Sequence, residues 1–120
     1  MAKKQTRDVK FEKDIITGLI SLILLAIIKN SKAPMYGYQI AKSMEEVNET
    51  GIELKQGTIY PVLRSLEKKG LLTSEIKASE SGPPRKYYLI TKSGKDKLKV
   101  WTKAWENTSL LVENVLRGEY

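Results

Sequence analysis

A mainly α fold carrying one small β-hairpin, α+β in class, is what these 120 residues predict. Three observations carry that expectation. Four stretches place apolar residues at helical spacing, and two runs rich in Leu, Ile, Thr and Tyr follow the third stretch. A Gly82-Pro83-Pro84 loop separates those two runs. Two successive helices closed by a hairpin make a winged helix-turn-helix, and the long last helix is expected to serve dimerisation.

Residues 1–13 are polar and mixed in charge, and read as a flexible basic arm or a frayed helical lead-in. The first helix is expected from about Asp14 to Lys29, where Asn30 to Pro34 breaks it. Its apolar run, residues 15–28, would extend only ~21 Å as a helix, short of the ~30 Å hydrocarbon core of a bilayer. A charged leader containing Asp8, Glu12 and Asp14 also argues against a signal peptide. The run therefore reads as a buried helix packed on nearly all sides, with no membrane partner.

The second helix is expected from near Tyr36-Gly37-Tyr38 to about Val47, with Ile40, Met44 and Val47 facing the core. A connector follows, in which Gly51-Ile52-Glu53-Leu54 could form a short extended piece. The third helix should run from Thr58 to Lys69 after the tight Gln56-Gly57 link. Ile59, Val62, Leu63 and Leu66 fall at i, i+3, i+4 and i+7 and commit one stripe to the core. Pro61 is expected in the first turn, where its missing N–H matters little, and Gly70 stops the helix. Strands are expected at residues 71–77 and 85–91, joined by a loop over residues 78–84.

The last helix should run from about Thr91 to Arg117. Leu98, Trp101, Trp105, Thr108, Val112 and Val115 step by 3, 4, 3, 4 and 3, an a/d seam that Leu111 and Leu116 widen. A sustained seam beyond the compact part of the chain calls for a second helix, which makes homodimerisation the expectation. The resulting division is an arm over residues 1–13, a winged helix-turn-helix over 14–91, and a dimerisation helix over 92–120.

Charge narrows the function. The chain carries 21 Lys and Arg against 14 Asp and Glu, a formal net charge of +7. Residues 85–104 hold seven bases and only Asp96, whereas residues 31–54 are net acidic. Basic blocks at 55–70 and 85–104 therefore suggest a polyanion footprint rather than general solubility. Cysteine and histidine are both missing from the sequence. Thiol chemistry, ordinary zinc sites and Ser–His or Cys–His catalysis are thereby excluded, no cofactor is implied, and a reducing cytoplasm fits.

The third helix turns Thr58, Tyr60, Arg64, Ser65 and Lys68 away from its core stripe, and Glu67 is its one acid against three bases. These are side chains that contact phosphates and base edges, and a helix N-terminus itself favours phosphate. Gln56 joins them as a secondary candidate. Tyr38, with Tyr36, either reaches phosphate through its hydroxyl or packs against the third helix. Arg85 and Lys86, directly after the hairpin tip, are placed to reach the backbone or minor groove. The plain alternative for each is an ordinary solvated face.

Four segments in order resemble the PadR family of transcriptional regulators. They are Tyr36-Gly37-Tyr38-Gln39-Ile40, Gly57-Thr58-Ile59-Tyr60-Pro61-Val62-Leu63, Leu66-Glu67-Lys68-Lys69-Gly70-Leu71 and Pro84-Arg85-Lys86-Tyr87-Tyr88-Leu89-Ile90-Thr91. The resemblance covers about residues 14–117 and fits the short subfamily that lacks a large C-terminal domain. It implies a dimeric repressor on a roughly palindromic double-stranded operator, with the last helix as the interface. For small members it also implies a planar aromatic, often cationic, ligand held between subunits against a tryptophan. Trp105 falls at that position, and Asp14 and Glu106 are the candidate counter-charges. Without the resemblance, Trp101 and Trp105 read simply as seam residues. A nonspecific architectural nucleic-acid binder and a winged-helix interaction module without DNA remain the alternatives of other classes.

Overall fold

A computed structural model describes residues 6–48 and 54–120. Helix α1 (Val9–Asn30) leads into a two-residue strand β1 (Met35–Tyr36) and helix α2 (Gly37–Val47). Helix α3 (Gln56–Lys68), strands β2 (Leu72–Ser79) and β3 (Gly82–Ile90), and helix α4 (Lys92–Leu116) follow. The architecture is a winged helix, four helices with a small antiparallel sheet, as the residue pattern predicts. Of the connector's expected extended piece, residues 51–53 lie outside the described residues.

The sheet has three strands in the order β1-β3-β2, one more than the expected hairpin. Met35 pairs with Tyr88 and Tyr36 with Tyr87, so the start of α2 is fastened to the wing. The wing's connection is also tighter than composition suggests. Ser79 pairs with Gly82, leaving Glu80 and Ser81 as the turn, and the register shifts between Lys77 and Ser79. Pro83 and Pro84 lie within β3, towards the exposed wing tip, where fewer ladder hydrogen bonds are needed.

Helix α1 begins five residues before its expected start. Asp8 caps it by accepting a hydrogen bond from the Phe11 N–H at 3.0 Å, and the Arg7 guanidinium donates to Glu12 at 3.1 Å. Only its second half is buried, through Ile20, Leu24, Leu25 and Ile28. Phe11 and Ile15 are exposed, so the expectation of a helix packed on nearly all sides fails for its first turns. The core joins those four residues to Ile40, Met44, Ile59, Leu63, Leu66, Leu71, Leu72, Tyr88 and Leu98. Val47, expected in that core, is exposed at the end of α2.

Helix α3 starts at Gln56, which moves Pro61 from the expected first turn into the second. The carbonyl that its missing N–H would have met belongs to exposed Gly57, where water can satisfy it. The helix stops in a Schellman motif. Gly70 adopts φ 77°, its N–H donates to Glu67 at 2.9 Å, and the Leu71 N–H donates to Leu66 at 3.0 Å. Thr91 then ties this stop to α4. Its hydroxyl donates to the Gly70 carbonyl at 2.7 Å and accepts from the Gly94 N–H at 3.0 Å. Gly94 sits so close that a Cβ there would overlap the Leu71 carbonyl oxygen.

Candidate nucleic-acid interface

The amphipathic pattern of α3 decides which of its side chains are available. Ile59, Leu63 and Leu66 are buried, whereas Gln56, Thr58, Arg64, Ser65 and Lys68 are exposed. Tyr60 departs from its expected place on the open face, since it is half-buried against the start of α2. A Cβ on Gly37 would come within 2.7 Å of its ring, so glycine there lets α2 meet α3 across the tyrosine. Tyr38 is exposed at the adjoining edge.

The β1–β3 pairing brings the wing to this same edge. A cavity of about 620 Å³ is lined by Tyr36, Gly37, Tyr38, Tyr60, Leu63, Arg64, Arg85, Lys86 and Tyr88. Tyr38, Tyr60, Arg64, Arg85 and Lys86, each singled out from sequence, therefore meet in one place. Thr58, Ser65 and Lys68 lie along α3 outside it, and Gln56 lines a separate depression beside Tyr38 and Lys42.

Arg85 and Lys86 have different surroundings. The Arg85 guanidinium stacks on the Tyr36 ring, 4.4 Å from its centroid, and Tyr36 in turn meets Tyr87 edge-on at 5.4 Å. Tyr38 stacks beyond it at 6.4 Å. Lys86 instead donates to Glu67 on α3, Nζ to Oε1 at 2.6 Å, while the Ser74 hydroxyl donates to the other carboxylate oxygen. These hydrogen bonds, from Lys86 first and Ser74 second, hold the Glu67 carboxyl below its usual range. The hydrogen bond to Glu67 likewise raises Lys86 above the usual lysine value.

Sequence reasoning missed this clamp and the Tyr36–Arg85 stack. The one acid on an otherwise basic helix was the available signal for the clamp. Glu67 does not dilute the basic face; it fastens α3 to both strands of the wing.

A second feature lies between α1 and α4. Phe11, Asp14, Ile15, Leu19, Trp101, Trp105, Thr108, Val112 and Glu113 are among the residues lining an apolar groove of about 750 Å³. Trp105 is 45% exposed there and Asp14 shares its groove. Glu106 does not: it lines a different groove with Lys29, Lys99 and Lys103, and Glu113 is the acid that shares the apolar groove with Asp14. The a/d seam also divides. Leu98 is 6% exposed and belongs to the chain's own core, against which Trp101 packs. Leu111, Val112, Val115 and Leu116 face outward, as does Thr108.

Among the described residues no helix is long and apolar enough to cross a membrane, and no acidic cluster could hold a metal ion. Residues 24–100 match the sequence pattern of the Transcriptional regulator PadR-like family. A protein of Lysinibacillus sphaericus is 30% identical over 105 residues, 88% of this chain and 94% of that one. The crystal structure of a PadR family transcriptional regulator from Eggerthella lenta superposes with a TM-score of 0.77 at 31% identity, covering 89% of each chain. That of a PadR-like transcriptional regulator from Bacillus cereus gives 0.71 at 34% identity, covering 88% of this chain and 99% of that one. Both solved relatives are transcriptional regulators, not enzymes.

Proposed function

The chain belongs to the PadR-like family of transcriptional regulators, and from that premise we propose a homodimeric repressor that reads a roughly palindromic operator on cytoplasmic DNA. The observation that carries this reading is the convergence of Arg64 on α3 and Arg85 on the wing at one edge of the molecule. Exposed Thr58, Arg64 and Ser65 supply base-edge contacts, and Lys68 and Arg85 supply phosphate contacts. Lys86, which lines the same cavity, serves as a further phosphate contact and, bound to Glu67, also fastens the wing to α3.

The second copy covers the apolar face that α1 and α4 leave open. Phe11, Ile15, Trp105, Leu111, Val112, Val115 and Leu116 are all exposed in the single chain. A face of that extent marks an interaction surface, and the a/d spacing on α4 fits a partner helix. Trp105 then stands at the margin of the interface, a place for a planar aromatic cation to stack, with Asp14 and Glu113 as counter-charges that the cation would take over from their surface partners Lys10 and Arg117.

An electrophoretic shift on the promoter region of the protein's own gene tests the reading. Specific binding should survive competing random duplex and weaken steeply with salt. Equal affinity for random duplex would replace the regulator with a nonspecific architectural binder, and no shift at low salt would leave an interaction module. For the effector, planar aromatic cations should quench tryptophan fluorescence, and Trp105→Ala should abolish the effect.

A further inference from the structure

We propose that the groove between α1 and α4 on the side of Glu106 is a second polyanion surface, which holds the phosphate backbone of duplex DNA away from the recognition helix. Lys29, Lys95, Lys99 and Lys103 line this groove of about 420 Å³, with Glu106 as its one acid. All four lysines are exposed, and none makes an ion pair among the described residues. The groove shares no lining residue with the cavity where α3 meets the wing, and α1 packs on both α3 and α4. It is a separate surface.

The placement of these charges opposes the stability of their own helix. Lys95 and Lys99, then Lys99 and Lys103, stand at i,i+4, where like charges repel. The first turn of α4 has no acidic residue, so Lys95 also stands near the positive end of the helix dipole, with Asp96 as the nearest acid along the helix. A bound polyanion removes both penalties at once. The chemistry of the donors selects the kind of polyanion. Lysine ammoniums are point charges that suit phosphate without demanding planar geometry, and they read no sequence. The groove has no aromatic lining residue on which unpaired bases could stack, which favours duplex over single strands.

The test is fluorescence anisotropy of the full chain on a random-sequence duplex of roughly 30 base pairs, about three helical turns, over a series of salt concentrations. K95Q/K99Q/K103Q should lower the slope of log affinity against log salt by about 0.9 for each phosphate no longer neutralised. R64A/K68A should lower it separately, and the two effects should add. The glutamine variant keeps its side-chain stems and should melt at or above the wild-type temperature, which keeps folding out of the comparison. An unchanged slope in K95Q/K99Q/K103Q overturns the proposal. So does tighter binding of polyglutamate than of duplex, abolished in the same variant, which would assign the groove to an acidic protein partner. Because the readout uses random duplex, absence of operator preference would sink the repressor reading and leave this one standing.

Discussion

Replacing Glu67 with glutamine tests how the wing is held. The change keeps the size of the side chain and an acceptor for Ser74, but leaves the Lys86 ammonium, 2.6 Å away, facing a neutral amide. The pair is neither buried nor fully solvated, with 29% of the Glu67 side chain and 40% of the Lys86 side chain exposed. Fully exposed pairs contribute ~0–1 kcal/mol, and hydrogen bonds to charged groups ~1.5–3 kcal/mol. Solvent screening at this exposure places the loss at the top of the first range and below the second, at about 1 kcal/mol. With an unfolding entropy of about 2.1 cal/mol/K per residue, that is a fall in Tm of roughly 4 °C for a chain of this size.

DNA binding should change in a way that stability alone does not explain. E67Q removes a negative charge from the recognition side, so affinity for random duplex should hold or rise. The operator-to-random ratio should fall, because Lys86 no longer fixes the wing against α3. Anisotropy on both duplexes, beside a thermal melt, gives the two readings. A ratio unchanged from wild type, with Tm within a degree or so, would refute the clamp.

The pH dependence has a defined sign. The folded-state value of Glu67 is lowered, so its contribution is present above the usual carboxylate range and disappears as pH falls through the lowered value. The value of Lys86 is raised, so its contribution persists up to the usual lysine range and is lost as pH rises through the raised value. The Tm gap between wild type and E67Q should therefore be flat around neutrality and close in strong acid.

Other substitutions separate fold from function. Gly94→Ala forces a Cβ into the Leu71 carbonyl and should cost more than about 2 kcal/mol, read by denaturant melts, because backbone rather than a flexible side chain must move. Leu98→Ala should cost ~2–5 kcal/mol as a core cavity, whereas Leu111→Glu should leave secondary structure intact and shift sedimentation from dimer to monomer. Unaltered sedimentation in Leu111→Glu would place the interface elsewhere. Arg85→Ala should weaken binding to all duplexes alike and flatten the salt slope by the share of one phosphate, ~0.9, since a phosphate contact carries no sequence information.

The helices and the hairpin were legible because each satisfies a periodic rule: the stripe at Ile59, Leu63 and Leu66, or the Gly70 stop. Strand β1 was not, because two residues cannot display an alternation, and Met35 and Tyr36 are strand only by virtue of Tyr87 and Tyr88 opposite. The early start of α1 rests on one capping carboxylate, Asp8, ahead of residues with no continuous apolar stripe. At the candidate interface, Arg64 and Arg85 could be named from motif position, but Tyr60's half-burial depends on the approach of Gly37, a contact between helices. Glu106 was misplaced by adjacency in sequence: one step along a helix from Trp105 is a turn of about 100° around it. Leu98 and Val112 share one seam by spacing, and only the position of α1 decides which of them the chain itself covers.

The junction at Thr91 and Gly94 has a mechanical consequence. With no space for even one methyl group between Gly94 and the Leu71 carbonyl, and with Thr91 bonded to Gly70, the base of α4 cannot slide over the end of α3. The 25 residues of α4 extend about 37 Å at 1.5 Å each, so a rotation of ~10° at this base sweeps the far end through about 6 Å. In the reverse direction, a displacement of α4 that reached this base would bear on the C-terminus of α3 as rotation. In a dimer joined through α4, the crossing angle of the two long helices would therefore act as the ruler that sets how far apart the two α3 helices stand.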